Sequence, residues 1–307
     1  MILCCGEALI DMLPRQTAEG EPSFAPHAGG AVFNTAIALG RLGAPAGFFS
    51  GLSTDFLGRQ LDRALADAGV DTRHCVRSDR PTTLAFVQLT DGHASYTFYD
   101  EGTAGRMIST DDLPDLGDEV SALLFGAISL IPEPCGSAYE ALMAGERGRR
   151  VVMFDPNIRP GFIPDRDRHL ARMRRMLAMS DIVKLSEEDL AWFGEPGDTC
   201  AVARGWLERG PKLVVVTCGS DGLVAFNRDH MVSVPARRVS VVDTVGAGDT
   251  VNAGILAALH EAGRLTRPGI AQLGEAELIA VLEFAAAAAS VTVGRAGANP
   301  PWRHELP

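Results

Sequence analysis

Short apolar runs rich in β-forming residues recur along the chain at 2–5, 46–51, 122–127, 151–154, 181–185 and 213–217. Apolar residues at helical spacing occupy most of the intervals, at 33–42, 56–68, 137–144, 167–179, 200–207 and 249–262. Buried strands alternating with amphipathic helices predict a doubly wound α/β fold, a mostly parallel sheet sandwiched by helices. Two regions, 12–25 and 82–99, break the alternation. In the second, Thr83-Leu-Ala-Phe-Val-Gln-Leu and Ser95-Tyr-Thr-Phe-Tyr flank Asp91-Gly92, a hairpin signal. Extra strands beside an α/β core would make a small sheet that covers a ligand crevice and excludes water. One domain over 1–307 is therefore expected, with lid insertions at about 12–28 and 82–104. The longest apolar stretch, 278–293, is alanine-rich and carries Glu283, which favours a buried helix over a membrane span.

At 307 residues and 46% hydrophobic content the chain can bury a large core. A net charge of −11 and a pI near 5.1 give no basic footprint for nucleic acid, so a small-molecule partner is expected. Six cysteines with no C-x-x-C pair read as reduced core thiols rather than disulfides or zinc ligands. Glu7 and Asp11 fall where a signal peptide would need a basic start and an uninterrupted apolar run, so a cytoplasmic location is expected.

Candidate chemistry concentrates at Asp243-Thr244-Val245-Gly246-Ala247-Gly248-Asp249. Upstream, 239–242 (Val-Ser-Val-Val) has strand composition. Downstream, Val251, Ile255, Leu256 and Leu259 repeat at helical spacing until Gly263. The Gly-Ala-Gly turn thus opens a helix, where converging backbone amides and the helix dipole suit an anion. An acid beside such a cradle would repel a phosphate unless it takes the proton of an attacking hydroxyl, which makes Asp249 a candidate general base. The plainer reading is a first-turn Asp favoured by the dipole. A P-loop is excluded, because the two lysines, Lys184 and Lys212, follow Val183 and Pro211 rather than glycine. A dinucleotide fingerprint is weak, because Gly246-x-Gly248 is followed by Val251 near the C-terminus.

Together with Gly29-Gly30-Ala31-Val32-Phe33-Asn34-Thr35-Ala36, this stretch makes the chain resemble the ribokinase-like, or PfkB, sugar kinases. Gly51-x-x-x-Asp55-x-x-Gly58, Asp155-Pro-Asn157-Ile-Arg159 and Thr217-x-Gly219-x-x-Gly222 fall in the family's order, so the resemblance covers nearly the whole chain. Gly-Gly-Ala-Val-Phe-Asn-Thr-Ala and Tyr96-Thr-Phe-Tyr99 are most similar to the wording of bacterial fructokinases.

The resemblance implies ATP-dependent phosphorylation of a sugar's terminal hydroxyl, with Asp249 as base and the Gly246, Ala247 and Gly248 amides as anion hole. It implies that Asp11, Gly29, Gly30 and Asn34 hold sugar hydroxyls, with Phe98 in the substrate set and Arg159 near the transferred phosphate or the sugar. Lys184, Ser186, Thr217, Gly219 and Gly222 match the nucleotide-binding positions. The family segment that often reads Asn-x-x-Glu and organises hydrated magnesium reads Ser186-x-x-Asp189 here, leaving Glu188 and Asp189 as contacts through water. Residues 285–299 resemble a monovalent-cation wall with a longer Val-Gly-Arg-Ala insert, which leaves potassium activation open. A homodimer joined through the lid is expected, since the family often pairs lids.

Within the family a neutral sugar, fructose, is expected over 2-keto-3-deoxygluconate. An acid substrate calls for a lid cation, whereas 82–104 has no Lys or Arg and carries Asp100 and Glu101. A catalytically silent sugar sensor would have lost the base or the glycines, and both are present.

Overall fold

The computed structural model describes residues 1–90 and 93–306, and the predicted Asp91-Gly92 turn lies outside them. Along the chain the first strands are β1 (Ile2–Cys5), β2 (Leu9–Gln16), β3 (Pro22–Gly29), β4 (Ala46–Phe49), β5 (Gly51–Ser53), β6 (Val76–Ser78), β7 (Leu84–Thr90) and β8 (His93–Tyr99). They continue as β9 (Ala122–Gly126), β10 (Val151–Asp155), β11 (Ile182–Ser186), β12 (Leu213–Thr217), β13 (Leu223–Phe226) and β14 (Met231–Val234). The helices are α1 (Ala31–Arg41), α2 (Phe56–Asp67), α3 (Cys135–Glu146), α4 (Arg166–Met179), α5 (Glu187–Trp192), α6 (Thr199–Leu207), α7 (Ala247–Glu261), α8 (Arg267–Ala271) and α9 (Glu275–Val293).

Eight strands form the main sheet in the order β14-β13-β12-β11-β10-β9-β1-β4. Its central members pair in parallel, and β13 and β14 close one edge antiparallel. Successive strand residues serve opposite faces. Ile2 and Cys4 join the core under α1, α2, α7 and α9, while Leu3 and Cys5 join the core under α3, α4 and α6. Both faces are covered, so the strands are continuous apolar runs, as the doubly wound expectation requires. All six cysteines are free thiols.

The apolar stretch at 278–293 forms most of α9. That helix is long and apolar enough to cross a bilayer by length and composition. It instead packs along α7 and β14 with Leu278, Leu282, Ala285 and Ala288 in the core.

The strand expected at 239–242 does not form. Val239, Val241 and Val242 are exposed on a loop, whose Val242 amide donates to Val293 O at 2.8 Å. Residues of high β-propensity make no strand where no neighbour offers a ladder. The hairpin β13–β14 was not anticipated, because its short runs lack a strong turn signal between them.

A second sheet, β3-β2-β7-β8, spans the two segments that broke the alternation. Its register puts Asp11, Ala85 and Phe98 on one face, and Met12, Phe86 and Tyr99 on the other. Asp55 anchors the sheet to the body. It caps α2 through the Gly58 amide (2.7 Å) and accepts from the Thr82 amide (2.9 Å) and hydroxyl (2.7 Å), just before β7.

Helices α7 and α9 pack along one another. A Cβ on Gly254 would lie 2.6 Å from Ala285 Cα, so the two backbones meet without an intervening side chain. Gly254→Ala should gain about 1 kcal/mol of helix propensity and lose about 1–3 kcal/mol to overpacking. We expect a lowered melting temperature; an unchanged or raised one would show that α9 moves away freely.

Candidate active site

Strands β1, β10, β11 and β12 and the start of α7 deliver the polar residues to one end of the main sheet, the carboxyl end at which ligands bind in open α/β sheets. Gly246 caps α7 in the left-handed conformation (φ 78°), where a side chain would strain the backbone. First-turn amides have no intrahelical acceptor. Of the three predicted anion-hole amides, that of Ala247 already donates to Thr244 O at 3.3 Å, a long bond that closes the turn.

Asp249 is buried in that first turn. Asn34 Nδ2 on α1 donates to its Oδ2 at 2.9 Å, and Thr35 Oγ1 reaches its backbone oxygen at 3.3 Å. The predicted glycine-rich segment and the predicted acid thus meet across 215 residues of sequence. Burial is the main influence on Asp249 and pushes its pKa up to about 7. The Asn34 hydrogen bond and the Lys184 charge pull it down, while Asp155 and Glu7 push it up.

Lys184 sits on β11, buried, and donates to Asp155 Oδ2 at 3.0 Å. A Cβ on Gly248 would lie 3.0 Å from Lys184 Nζ, so this ammonium stands beside the glycine turn. Asn252, one turn after Asp249 on α7, donates to the same Asp155 oxygen at 2.7 Å. Sequence reasoning found Lys184 and the Asp155 motif but missed Asn252. Its only sequence signal is a polar residue three positions after the candidate base on an otherwise apolar helix.

On one side of this group lies a cavity of about 540 Å³ lined by Thr217, Gly219, Gly222, Val239, Val241 and Gly248 among others. The predicted nucleotide loop and the predicted anion hole therefore share one wall. The exposed valines of the misread 239–242 segment form part of it, which accounts for their apolar character.

On the other side, Asp11 projects from β2 with its pKa raised to about 6 by burial. A Cβ on Gly29 would come within 2.2 Å of Asp11 Oδ2, so the carboxylate packs directly on that backbone. A second cavity of about 310 Å³ is lined by Phe98, Phe162, Arg106, Ser129 and Glu7 among others. Phe98 packs edge-on against Phe162 at 4.7 Å and stacks with Tyr96.

Five predicted residues stand differently from the simplest expectation. Arg159 is exposed and its Nη1 donates to Ile158 O at 3.0 Å; its charge is felt at the Tyr96 hydroxyl, along with those of Asp11 and Asp243. Ser186 and Asp189 form a capping box on α5, with a second Asp189 oxygen taken by the Ile158 amide at 2.7 Å. Glu188 is exposed. Asp100 is no free acid: it pairs with Arg106 at 2.9 Å, which cancels much of the repulsion expected from it.

Comparisons with known proteins bear on the same site. A bacterial fructokinase from Rhizobium leguminosarum bv. trifolii is 60% identical over 91% of this chain and 85% of its own. The crystal structure of a fructokinase with bound ATP from Xylella fastidiosa superposes with a TM-score of 0.87 at 30% identity, covering 100% of this chain and 94% of that one. A fructokinase from Vibrio cholerae O395 in a fructose, ADP and calcium ion bound form gives a TM-score of 0.82 at 26% identity, with 97% and 94% covered. The pfkB family carbohydrate kinase model matches residues 1–305. The chain belongs to the pfkB family of carbohydrate kinases, and its fold is the ribokinase-like fold of that family.

Proposed function

We propose that the protein is an ATP-dependent fructokinase that transfers the γ-phosphoryl group of ATP to the terminal hydroxyl of fructose. The observation that carries this reading is a buried carboxylate with a pKa near 7, set in the first turn of a helix whose Ala247 and Gly248 line the cavity that also holds Thr217, Gly219 and Gly222. A base poised near neutral pH accepts a hydroxyl proton efficiently. The relatives named fructokinase support the sugar.

In this mechanism Asp249 takes the proton as the sugar oxygen bonds to the γ-phosphorus, and the bond to the bridging oxygen breaks to leave ADP. The Gly246 and Gly248 amides hold the equatorial oxygens. Lys184, beside Gly248, adds a positive charge where negative charge develops. Asn34 orients the Asp249 carboxylate toward the sugar. The nucleotide lies along Thr217, Gly219 and Gly222. Arg159 reaches the phosphoryl group or the sugar only if its exposed side chain swings in under the lid.

Among the described residues no group of three His, Cys, Asp or Glu could hold a metal ion. Glu188, an exposed carboxylate in the first turn of α5, would reach magnesium carried by the nucleotide's phosphates through water. The ion supplies charge neutralisation of the phosphates.

The acid-sugar reading is disfavoured because Arg106, the cation that lines the cavity with Phe98, is paired with Asp100. A homodimer is supported by the outer lid face, where Phe24 is 47% and Tyr99 60% exposed around Phe86.

Asp249→Asn should lower kcat by about 10²–10⁴ while fructose still binds. In the wild type, kcat/KM should fall about tenfold per pH unit below pH 7, as the base becomes protonated. A flat profile between pH 5 and 7 would remove Asp249 as the base. The same shift bears on stability. Folding raises this pKa from 3.8 to about 7, so its stabilising contribution is full below pH 4 and is lost as pH rises to 7. Asp249→Asn should therefore melt above the wild type at pH 8, with the gap closing towards pH 4. Fructose should show a higher kcat/KM than 2-keto-3-deoxygluconate or any sugar phosphate, and the reverse order would overturn the substrate. Sedimentation should give a dimer at micromolar concentration that Tyr99→Glu dissociates; a wild-type monomer would reject the pairing.

A further inference from the structure

We propose that Glu7 is a specificity-determining residue for the sugar: one carboxylate oxygen fixes the start of α1, and the other accepts a hydroxyl of the bound substrate. This rests on reading the site as that of a neutral-sugar kinase. Glu7 follows β1, and its Oε1 accepts from the Ala31 amide at 2.8 Å and the Val32 amide at 3.3 Å. Gly30, at the N-cap of α1, has no side chain to do this, so the cap is supplied from 24 residues away. The helix held in this way is the one that carries Asn34 and Thr35 to Asp249.

Oε2 is buried and unpaired, and the Ser129 hydroxyl, close enough to favour the charged form of Glu7, donates instead to Gly126 O. Oε2 belongs to a residue lining the 310 Å³ cavity with Phe98, and the three hydroxyls in that wall have partners of their own, Thr83 Oγ1 with Thr103 Oγ1 at 2.8 Å among them. Ser129 Oγ donates to Gly126 O at 2.8 Å, and Tyr139 OH donates to Gly6 O at 3.2 Å. A buried carboxylate oxygen without a donor is rare in a native structure and calls for a partner from outside the chain. The position is next to the sugar cradle, since a Cβ on Gly30 would lie 3.1 Å from Glu7 Cγ. A sugar hydroxyl suits this oxygen in either protonation state, because it can donate or accept. A substrate carboxylate or phosphate would meet a like charge there. With Asp100 paired to Arg106, Glu7 is the remaining acid of that wall to turn anionic sugars away.

Glu7→Gln separates the two roles, since its amide oxygen can still cap Ala31 and Val32 while its NH₂ replaces the free acceptor. The test compares wild type, Glu7→Gln and Glu7→Asp on fructose and its monodeoxy analogues, with melting temperatures recorded in parallel. For Glu7→Gln we expect KM for fructose to rise about 10- to 100-fold, the loss expected for one hydrogen bond to a charged group, with kcat and KM for ATP within a few-fold. One monodeoxy ketose should be penalised in the wild type and lose that penalty in Glu7→Gln. Glu7→Asp, which draws the charge back by one methylene, should show the same pattern more mildly and serves if the Gln variant does not fold. An unchanged fructose KM, or a deoxy-sugar penalty that persists in the variants, would overturn the assignment. If the wild type ignores fructose but phosphorylates another neutral sugar, the fructose reading fails, and the same comparison on that sugar still decides the role of Glu7.

Discussion

The structure is organised around the cost of burying one carboxylate. Asp249 lies inside the protein at the start of α7, and desolvation disfavours its ionised form by about 1.4 kcal/mol for each unit of pKa shift. Three features keep the penalty tolerable: the first-turn position of α7, the Asn34 amide at 2.9 Å and the nearby Lys184 ammonium. Each comes from a different part of the chain, so α1, β11 and α7 must pack in one arrangement for the acid to sit where it does. The close approach of α7 to α9 at Gly254 serves the same end, because it sets where the first turn of α7 falls.

Much of this was legible in the sequence. The alternation of apolar runs with helical periods gave the layered sheet, since each signal is local and repeats. The Gly246-Ala247-Gly248-Asp249 turn was legible for the same reason: small residues, an acid and a helical repeat are contiguous. What escaped was long-range or depended on burial. The Asp155, Lys184 and Asn252 cluster joins residues 29 and 97 positions apart, and no periodicity links them. The pairing of Asp100 with Arg106, six residues apart, depends on how the chain turns after β8, which the charges along 82–104 do not show. At 239–242, β-branched composition reads as a strand, whereas Val239 and Val241 wall a cavity.

Glu7 illustrates the limit from the other direction. In the sequence it is one acid among apolar neighbours, useful only for arguing against a signal peptide. Its significance appears when the chain end of β1 is laid against the start of α1, where a helix without a local cap meets a carboxylate with two oxygens to place. One oxygen has a structural task, and the other is unpaired in a residue that lines a cavity. A side chain bound to the backbone at one end is rigid at the other, and rigid acceptors discriminate among hydroxyl positions better than mobile ones do.

Lys184 shows how the same economy applies on the nucleotide side. The chain holds two lysines, and one of them is buried against Asp155 beside the glycine turn. A buried ion pair returns little net stability, because desolvating two charges offsets most of their attraction. Stability alone is therefore a poor reason for this pair to exist. A positive charge held 3.0 Å from the Cβ position of Gly248, with its carboxylate partner fixed by Asn252, is instead preorganised for an anion arriving at the turn. The ATP-binding P-loop achieves this with a lysine embedded in its own loop; here the lysine comes from a neighbouring strand and the glycines from a helix start, and the two meet only in the folded chain.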